Sequence, residues 1–271
     1  MIRCDVHLHT AFSSDSEAPM ESMIQKGIDL GLETLCFTDH FDPCYPENPE
    51  GLDFLLDFEN YKRTLFALKE KYRSKITVLY GIELGAQPQI QRELAHFYEQ
   101  YGQEYDFIIL STHLINGEDP YDGNYFKHMG VKRGLQVYFE TILSNLRVFP
   151  HYQTVGHLDY ACRFLPKDSA PFSYEEFQEI LDEILREIIS QNRGLEINTS
   201  GFRYGLVHPN PHPSILKRYR ELGGEIVTIG SDAHQPEHMA WDFCKLPDFL
   251  KECGFNRYAV FQEKQPVFYD L

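Results

Sequence analysis

The sequence predicts an α/β fold in which a parallel sheet closes into a barrel. Seven apolar, strand-like runs recur along its 271 residues, at 2–7, 34–38, 76–83, 107–111, 154–158, 194–198 and 225–230. Segments of helical periodicity separate them, at 19–30, 59–72, 88–101, 131–149, 174–190 and 213–222. A parallel return needs a long crossover, so this alternation argues for a parallel sheet, and closure is its natural end. Polar residues of metal-binding type follow nearly every strand candidate at its carboxyl end, where barrels of this kind collect function.

Each element has its own local reason. Cys4 and Cys36 fall inside the first two strands, where a thiol behaves as a small apolar side chain. Gly31 closes the first helix and Gly223-Gly224 the last, at positions that need a left-handed residue. In the helix over 174–190, Phe177, Ile180, Leu181, Ile184, Leu185 and Ile188 follow the spacing of one buried face, and Ser173 with Glu176 has the form of a capping box. Two longer connections, 42–57 and 116–130, are rich in Pro, Gly, Tyr and Asp and are either substrate-covering loops or plain surface. No repeat, low-complexity tract or linker divides the chain, so residues 1–271 are expected to form one barrel domain.

Composition narrows the functions. With 42% hydrophobic and 14% aromatic residues, a sizeable core is available. The formal charge of −16 argues against a nucleic-acid partner, which would require clustered Lys and Arg. The six cysteines form no Cys-x-x-Cys pair, which argues against disulfides and a zinc-thiolate knuckle. No apolar run reaches the ~18 residues needed to span a bilayer, and the first residues lack the pattern of a signal peptide. A cytoplasmic protein without a membrane partner is expected; oligomeric state is not readable.

Six of the twelve histidines sit in motifs beside acidic residues: Asp5-Val6-His7-Leu8-His9, Thr38-Asp39-His40, Gly81-Ile82-Glu83, Ser111-Thr112-His113, Gly156-His157 and Ser231-Asp232-Ala233-His234. A strand projects alternate side chains to one face, so His7 and His9 can grip one ion. Imidazole and carboxylate suit zinc, iron or manganese, and this set exceeds the four positions of one tetrahedral centre. More than one ion is implied. A single histidine beside a strand is commonly a hydrogen-bonded core residue; recurrence at successive strand ends separates these six from His96, His128, His151, His208, His212 and His238.

Together with Glu196-Ile197-Asn198 and Gly230-Ser231-Asp232-Ala233-His234, these motifs resemble the polymerase-and-histidinol-phosphatase (PHP) family along essentially the whole chain. The segment Gly156-His157-Leu158-Asp159 followed by Arg163 is similar to the histidinol-phosphate phosphatase branch. The resemblance implies a distorted (β/α)7 barrel, with three divalent transition-metal ions at the C-terminal ends of the strands. Carried over by position, His7, His9, Glu83 and Asp232 would hold the first ion. Glu83 would bridge to a second, held also by His113 and His157, and His40 and His234 would hold a third. Asp15 stands where some relatives have a histidine ligand for that third ion; as a residue of Ser13-Ser14-Asp15-Ser16 it could equally be a solvated turn.

The chemistry expected of such a site is hydrolysis of a small phosphate monoester. Ions bridged by a carboxylate lower the pKa of a shared water, so no Ser or Cys nucleophile is needed. Arg163 offers a planar, always-charged fork to phosphate oxygens; Arg203 is a second candidate, with a surface salt bridge as its alternative. Asp15 and His234 are candidates for protonating the leaving oxygen, although a residue that ligates a metal is a poor acid. The leading expectation is hydrolysis of L-histidinol phosphate in histidine biosynthesis. Alternatives are a phosphoesterase for a nucleotide or phosphotyrosine, a metal-dependent amidohydrolase, and a metal-stabilised interaction module. Against the amidohydrolase, no Lys stands at a strand end to bridge two metals; against the inactive module, the ligand set is intact.

Overall fold

The computed structural model describes residues 2–48 and 51–271. Cys4–Leu8 (β1), Thr34–Phe37 (β2), His40–Phe41 (β3), Thr77–Gly85 (β4), Phe107–Ser111 (β5), Thr154–Val155 (β6), Gly194–Asn198 (β7) and Val227–Gly230 (β8) pair in parallel, in the order β1-β2-β4-β5-β6-β7-β8, with β3 beside β4. The ends of this path meet. The Asp232 N–H donates to the His7 carbonyl and the His9 N–H to the Ala233 carbonyl, both at 2.9 Å. The result is a nearly closed seven-stranded parallel barrel, with the short β3 as an addition.

The helices are Met20–Asp29 (α1), Phe58–Tyr72 (α2), Gln91–Gln100 (α3), Asn124–Met129 (α4), Val131–Val148 (α5), Gln178–Ser190 (α6), Ser200–Arg203 (α7), Pro213–Glu221 (α8) and Leu246–Glu252 (α9). Six of them match the periodic segments of the sequence to within a few residues at each end. Every residue of β1, β2, β5, β7 and β8 is buried, as parallel strands covered by helices require. Gly31 and Gly223 take φ of 74° and 98° and end α1 and α8 as expected. Gly224 instead makes room for the ring of Tyr219, on which a Cβ would fall.

Three local expectations are corrected. The helix expected from 174 begins at Gln178, after a single 3₁₀ turn over Glu175–Phe177, and Ser173 Oγ bonds Glu175 Oε2 at 2.7 Å rather than capping the helix. The competing pull is on Tyr174, which is buried with its hydroxyl donating to Asp182 Oδ1 at 2.5 Å. Asp182 is also clamped by Arg218 Nε and Nη2 at 2.9 and 2.8 Å, which locks α6 to α8. The strand expected over 154–158 pairs only at Thr154–Val155, and Gly156 and His157 lie beyond it. The connection 116–130 is no plain loop: it holds a 3₁₀ turn, Pro120–Asp122, and α4. Residues 49 and 50 of the other connection lie outside the described residues.

An antiparallel hairpin, Arg257–Gln262 (β9) and Gln265–Asp270 (β10), was not expected. Its two turn residues, Glu263 and Lys264, both have positive φ, 48° and 63°, the geometry of a tight hairpin turn normally marked by Asn-Gly. The turn is tied to Asp106, just before β5, and Phe261 stacks on Phe107, the first residue of β5, with ring centroids 5.5 Å apart. The hairpin therefore packs at the amino ends of the strands, opposite the metal-type residues. Truncating this buried ring, Phe261→Ala, is expected to cost about 3–5 kcal/mol and lower Tm by roughly 10 °C in thermal unfolding followed by circular dichroism. A shift below about 2 °C would show that the hairpin adds little to the barrel.

Candidate metal centre

His7 and His9 lie on consecutive same-facing positions at the end of β1, Glu83 within β4, and Asp232 just after β8. Their donor atoms converge. His7 Nε2 and His9 Nε2 are 3.0 Å apart; each faces Glu83 Oε2, at 3.1 and 3.3 Å, and Asp232 Oδ1, at 3.8 and 3.5 Å. A tetrahedral ion with bonds of about 2.0–2.1 Å has ligand–ligand edges near ~3.4 Å, so this four-atom cage has the size of one zinc-type ion.

The tautomers agree with that reading. His7 Nδ1 donates to Glu196 Oε1 at 2.5 Å, and His9 Nδ1 lies 3.0 Å from Ser13 Oγ. Both rings then turn Nε2 toward each other, where a shared cation would take the place of a proton. Ser13 is held in turn by Asp39, which accepts from Ser13 Oγ and Thr10 Oγ1 and from the N–H groups of Thr10 and Ser13.

The other oxygen of Glu83 serves a second group. Oε1 lies 2.9 Å from His157 Nε2 and 3.3 Å from His113 Nε2, and accepts from Ser111 Oγ at 2.6 Å. His113 Nδ1 is fixed by Asp42 Oδ1 at 2.7 Å. A third group sits nearer solvent, where His234 Nε2 is 3.1 Å and His40 Nε2 3.8 Å from Asp15 Oδ2. His9, His40 and His234 also converge without Asp15, as do His40, Asp42 and His113. All nine expected metal residues are therefore brought together. Among the described residues, none of the six histidines set aside belongs to these groups.

The electrostatics are those of a place for cations. Burial alone would push the Glu83 carboxyl up, but His7, His40 and His113 hold it well below the usual range. Burial opposes charge on His7 too, yet Glu196, Glu83 and Asp232 raise it well above an ordinary imidazole. His40 Nδ1, Asp42 Oδ2 and His157 Nδ1 are buried without a hydrogen-bond partner among the described residues.

A cleft of about 900 Å³ opens on these groups. Arg163 lies in its wall with its side chain 2% exposed, flanked by the rings of Tyr160 and Tyr204 at 5.3 and 5.1 Å. Its Nε donates to Asn210 Oδ1 at 2.8 Å, Nη2 to Asn198 Oδ1 at 3.2 Å and Nη1 to Asp232 Oδ2 at 3.4 Å. Of its five N–H groups, one on each Nη stays uncommitted to these partners. Arg203 is placed differently: Nη1 and Nη2 donate to the carbonyls of Ser231 and Asp232 at 2.8 and 2.7 Å, so it braces the turn carrying Asp232, which has φ of 54°. It does not line the cleft. The connections 42–57 and 116–130 both do, joined where Tyr45 donates to Asp119 at 2.8 Å.

Sequence reasoning missed Asp42 and Asn210, and quoted Glu196 within a motif without giving it a role. Asp42 stands two residues after His40, and Glu196 two before Asn198, the same alternation that marked His7 and His9. Asn210 carries no comparable signal.

A barrel with clustered imidazole and carboxylate donors at one mouth suits a metal-dependent hydrolase, and known proteins agree. The PHP domain matches residues 5–200, and the chain belongs to that family. It is 34% identical to a probable histidinol-phosphatase of Clostridium acetobutylicum, over 98% of both chains. It is 32% identical to a histidinol-phosphatase of Lactococcus lactis, over 96% of this chain and 95% of the other. A crystal structure of histidinol phosphate phosphatase from Lactococcus lactis, complexed with zinc, L-histidinol and phosphate, superposes with a TM-score of 0.86 at 29% identity, over 98% of both chains. Use of divalent metal follows from the donor groups together with this zinc-containing neighbour.

Glu83 faces both of the inner groups, so Glu83→Gln should strip metal from the protein and abolish hydrolysis, because the amide lacks the negative charge that both groups share. His96→Ala, on the exposed face of α3, should leave both unchanged. Elemental analysis with initial rates on both variants checks this; equal losses would mean the site is misplaced.

Proposed function

We propose that this chain is a metal-dependent phosphate monoester hydrolase that converts L-histidinol phosphate and water to L-histidinol and phosphate, in histidine biosynthesis. What carries the reading is the pair of donor groups sharing Glu83 in a cleft also walled by Arg163, in a chain aligned end to end with proteins named for that activity. The proposal extends to one domain over residues 1–271 and three ions of zinc, manganese or iron. The first is assigned to His7, His9, Glu83 and Asp232, the second to Glu83, His113 and His157, and the third to His40 and His234, with Asp15 beside it at 3.1 Å from His234 Nε2. Six free cysteines suit a reducing cytoplasm.

Ions bound there supply an activated water at neutral pH and offset the charge of the phosphoryl group. The chain's own residues do the rest. Arg163 is pre-oriented by two amide oxygens and Asp232, and its two uncommitted N–H groups form a fork for phosphate oxygens. Arg203 acts through the Ser231 and Asp232 carbonyls, holding the Asp232 ligand in place. For protonation of the leaving oxygen, one residue cannot ligate and donate at once. His9, His40 and His234 converge without Asp15, which favours Asp15 as the donor and His234 as the ligand.

A hydrolysis screen of purified protein across phosphate monoesters, with metal analysis on the same preparation, tests the assignment. Histidinol phosphate should be preferred over nucleotide and aryl phosphates, with about three transition-metal ions per chain and loss of activity on chelation. Comparable rates on all substrates would remove the substrate assignment, and one ion or none would remove the trinuclear reading.

Arg163 tests the phosphate contact. Arg163→Ala should lower kcat/KM by roughly 10²-fold or more, about 3 kcal/mol of transition-state stabilisation, and Arg163→Lys should stay clearly impaired because ammonium is a point charge. Metal content should not change in either; near-normal kinetics in Arg163→Ala would rule out the clamp.

A further inference from the structure

Glu196 is 1% exposed and, among the described residues, belongs to none of the donor groups, yet it bonds one member of each of the two that share Glu83. Oε1 accepts from His7 Nδ1 at 2.5 Å; Oε2 accepts from the His157 N–H at 2.9 Å and from Asn198 Nδ2 at 3.1 Å. The fold reserves space for it. A Cβ on Gly230 would lie 2.6 Å from Glu196 Oε1 and would also strike His7, so the glycine before Ser231 is what lets the pair form. His157 Nδ1 has no hydrogen-bond partner among the described residues, so behind the donor groups this residue is held through its backbone N–H.

We propose that Glu196 is a positioning residue that sets the metal affinity of the His7 and His157 groups together. By accepting the hydrogen bond from His7 Nδ1 it fixes the ring with Nε2 aimed at the first group. By holding the His157 backbone it fixes the reach of the ring to the second. Glu83 links the two groups from inside, and Glu196 links them from behind. The inference rests on the reading of these groups as metal sites and not on any particular substrate.

The carboxylate is needed because two acceptor oxygens are used at once. In Glu196→Gln one oxygen becomes an NH₂. If that NH₂ faces His157 and Asn198, donors oppose donors. If it faces His7, the ring must accept at Nδ1 and carry its proton on Nε2, where an ion would sit. Either orientation disables one group.

The test is chelator competition with zinc and manganese on purified protein, together with Tm of the metal-free form. Asp182→Asn, at the α6–α8 clamp, serves as a control for a purely structural loss. Glu196→Gln should weaken metal binding by roughly 10- to 100-fold and lower stoichiometry, while the control loses Tm but keeps wild-type affinity. Glu196→Ala should weaken both groups. Unchanged affinity in Glu196→Gln, or an affinity loss in Asp182→Asn matching it at equal Tm, would overturn the proposal. Wild-type protein that binds no transition metal would overturn the metal reading and this inference together. A wild type that binds metal but does not hydrolyse histidinol phosphate would leave the metal test valid and remove only the substrate assignment.

Discussion

A wholly buried carboxylate, Glu83, is the constraint around which the barrel mouth is arranged. An isolated charge in such a place is strongly disfavoured unless it is paired and hydrogen-bonded. Here each oxygen has its own company: Oε2 faces His7, His9 and His40, and Oε1 faces His113, His157 and Ser111. Asp232, Asp42 and Glu196 add further buried acids around the same rings. So much negative charge among imidazoles is tolerable when most of the rings are positive, or when cations take the protons' place. The second state leaves imidazoles neutral and carboxylates ionised, which is what hydrolysis near neutral pH requires.

That requirement explains the layer behind the donors. His7 leans on Glu196, His113 on Asp42, His9 on Ser13 and through it on Asp39. Each contact places the ring proton on Nδ1 and turns Nε2 inward. Arg163 is treated alike: Asn198 and Asn210 orient it, and Asn210 is anchored by the buried Asp159, whose Oδ1 accepts from its Nδ2 at 2.5 Å. Rigid support of this kind is what a site needs when its geometry must be correct before substrate arrives.

Much of this was legible in the sequence, for identifiable reasons. Parallel strands buried on both faces read as continuous apolar runs, so all seven barrel strands were found, and polar residues at their ends stood out against that background. Eight of the nine residues expected at the mouth stood out because function in a barrel collects at one end of every strand, and Asp15 came from the family resemblance alone. What was missed has the opposite character. β3 is two residues long, too short for any pattern, and it carries His40 with Asp42 just beyond. The β9–β10 hairpin turns on Glu263-Lys264, residues with no propensity for positive φ, so the turn left no mark. Glu196 and Arg203 could be seen as chemistry-bearing residues but not assigned, since whether an acid or a guanidinium faces an ion or stands behind its ligand depends on packing across the barrel.

The seam that closes the barrel and the site at its mouth are built from the same residues. No ladder of strand pairing joins β1 to β8; the seam is a parallel bridge at Leu8 and Ala233 and two backbone hydrogen bonds, Asp232 to His7 and His9 to Ala233. Every residue of that seam is a donor or a neighbour of one. His7 and His9 come from the first strand and Asp232 from the turn after the last, so an ion held by all three would staple the seam with bonds far stronger than the two hydrogen bonds it joins. Arg203 and Asp5 reinforce the same place, Arg203 through the Ser231 and Asp232 carbonyls and Asp5 by accepting from the Ser231 N–H at 2.9 Å. The backbone at the seam leaves regular pairing just where His7 and His9, from the first strand, and Asp232, after the last, turn their side chains toward one another.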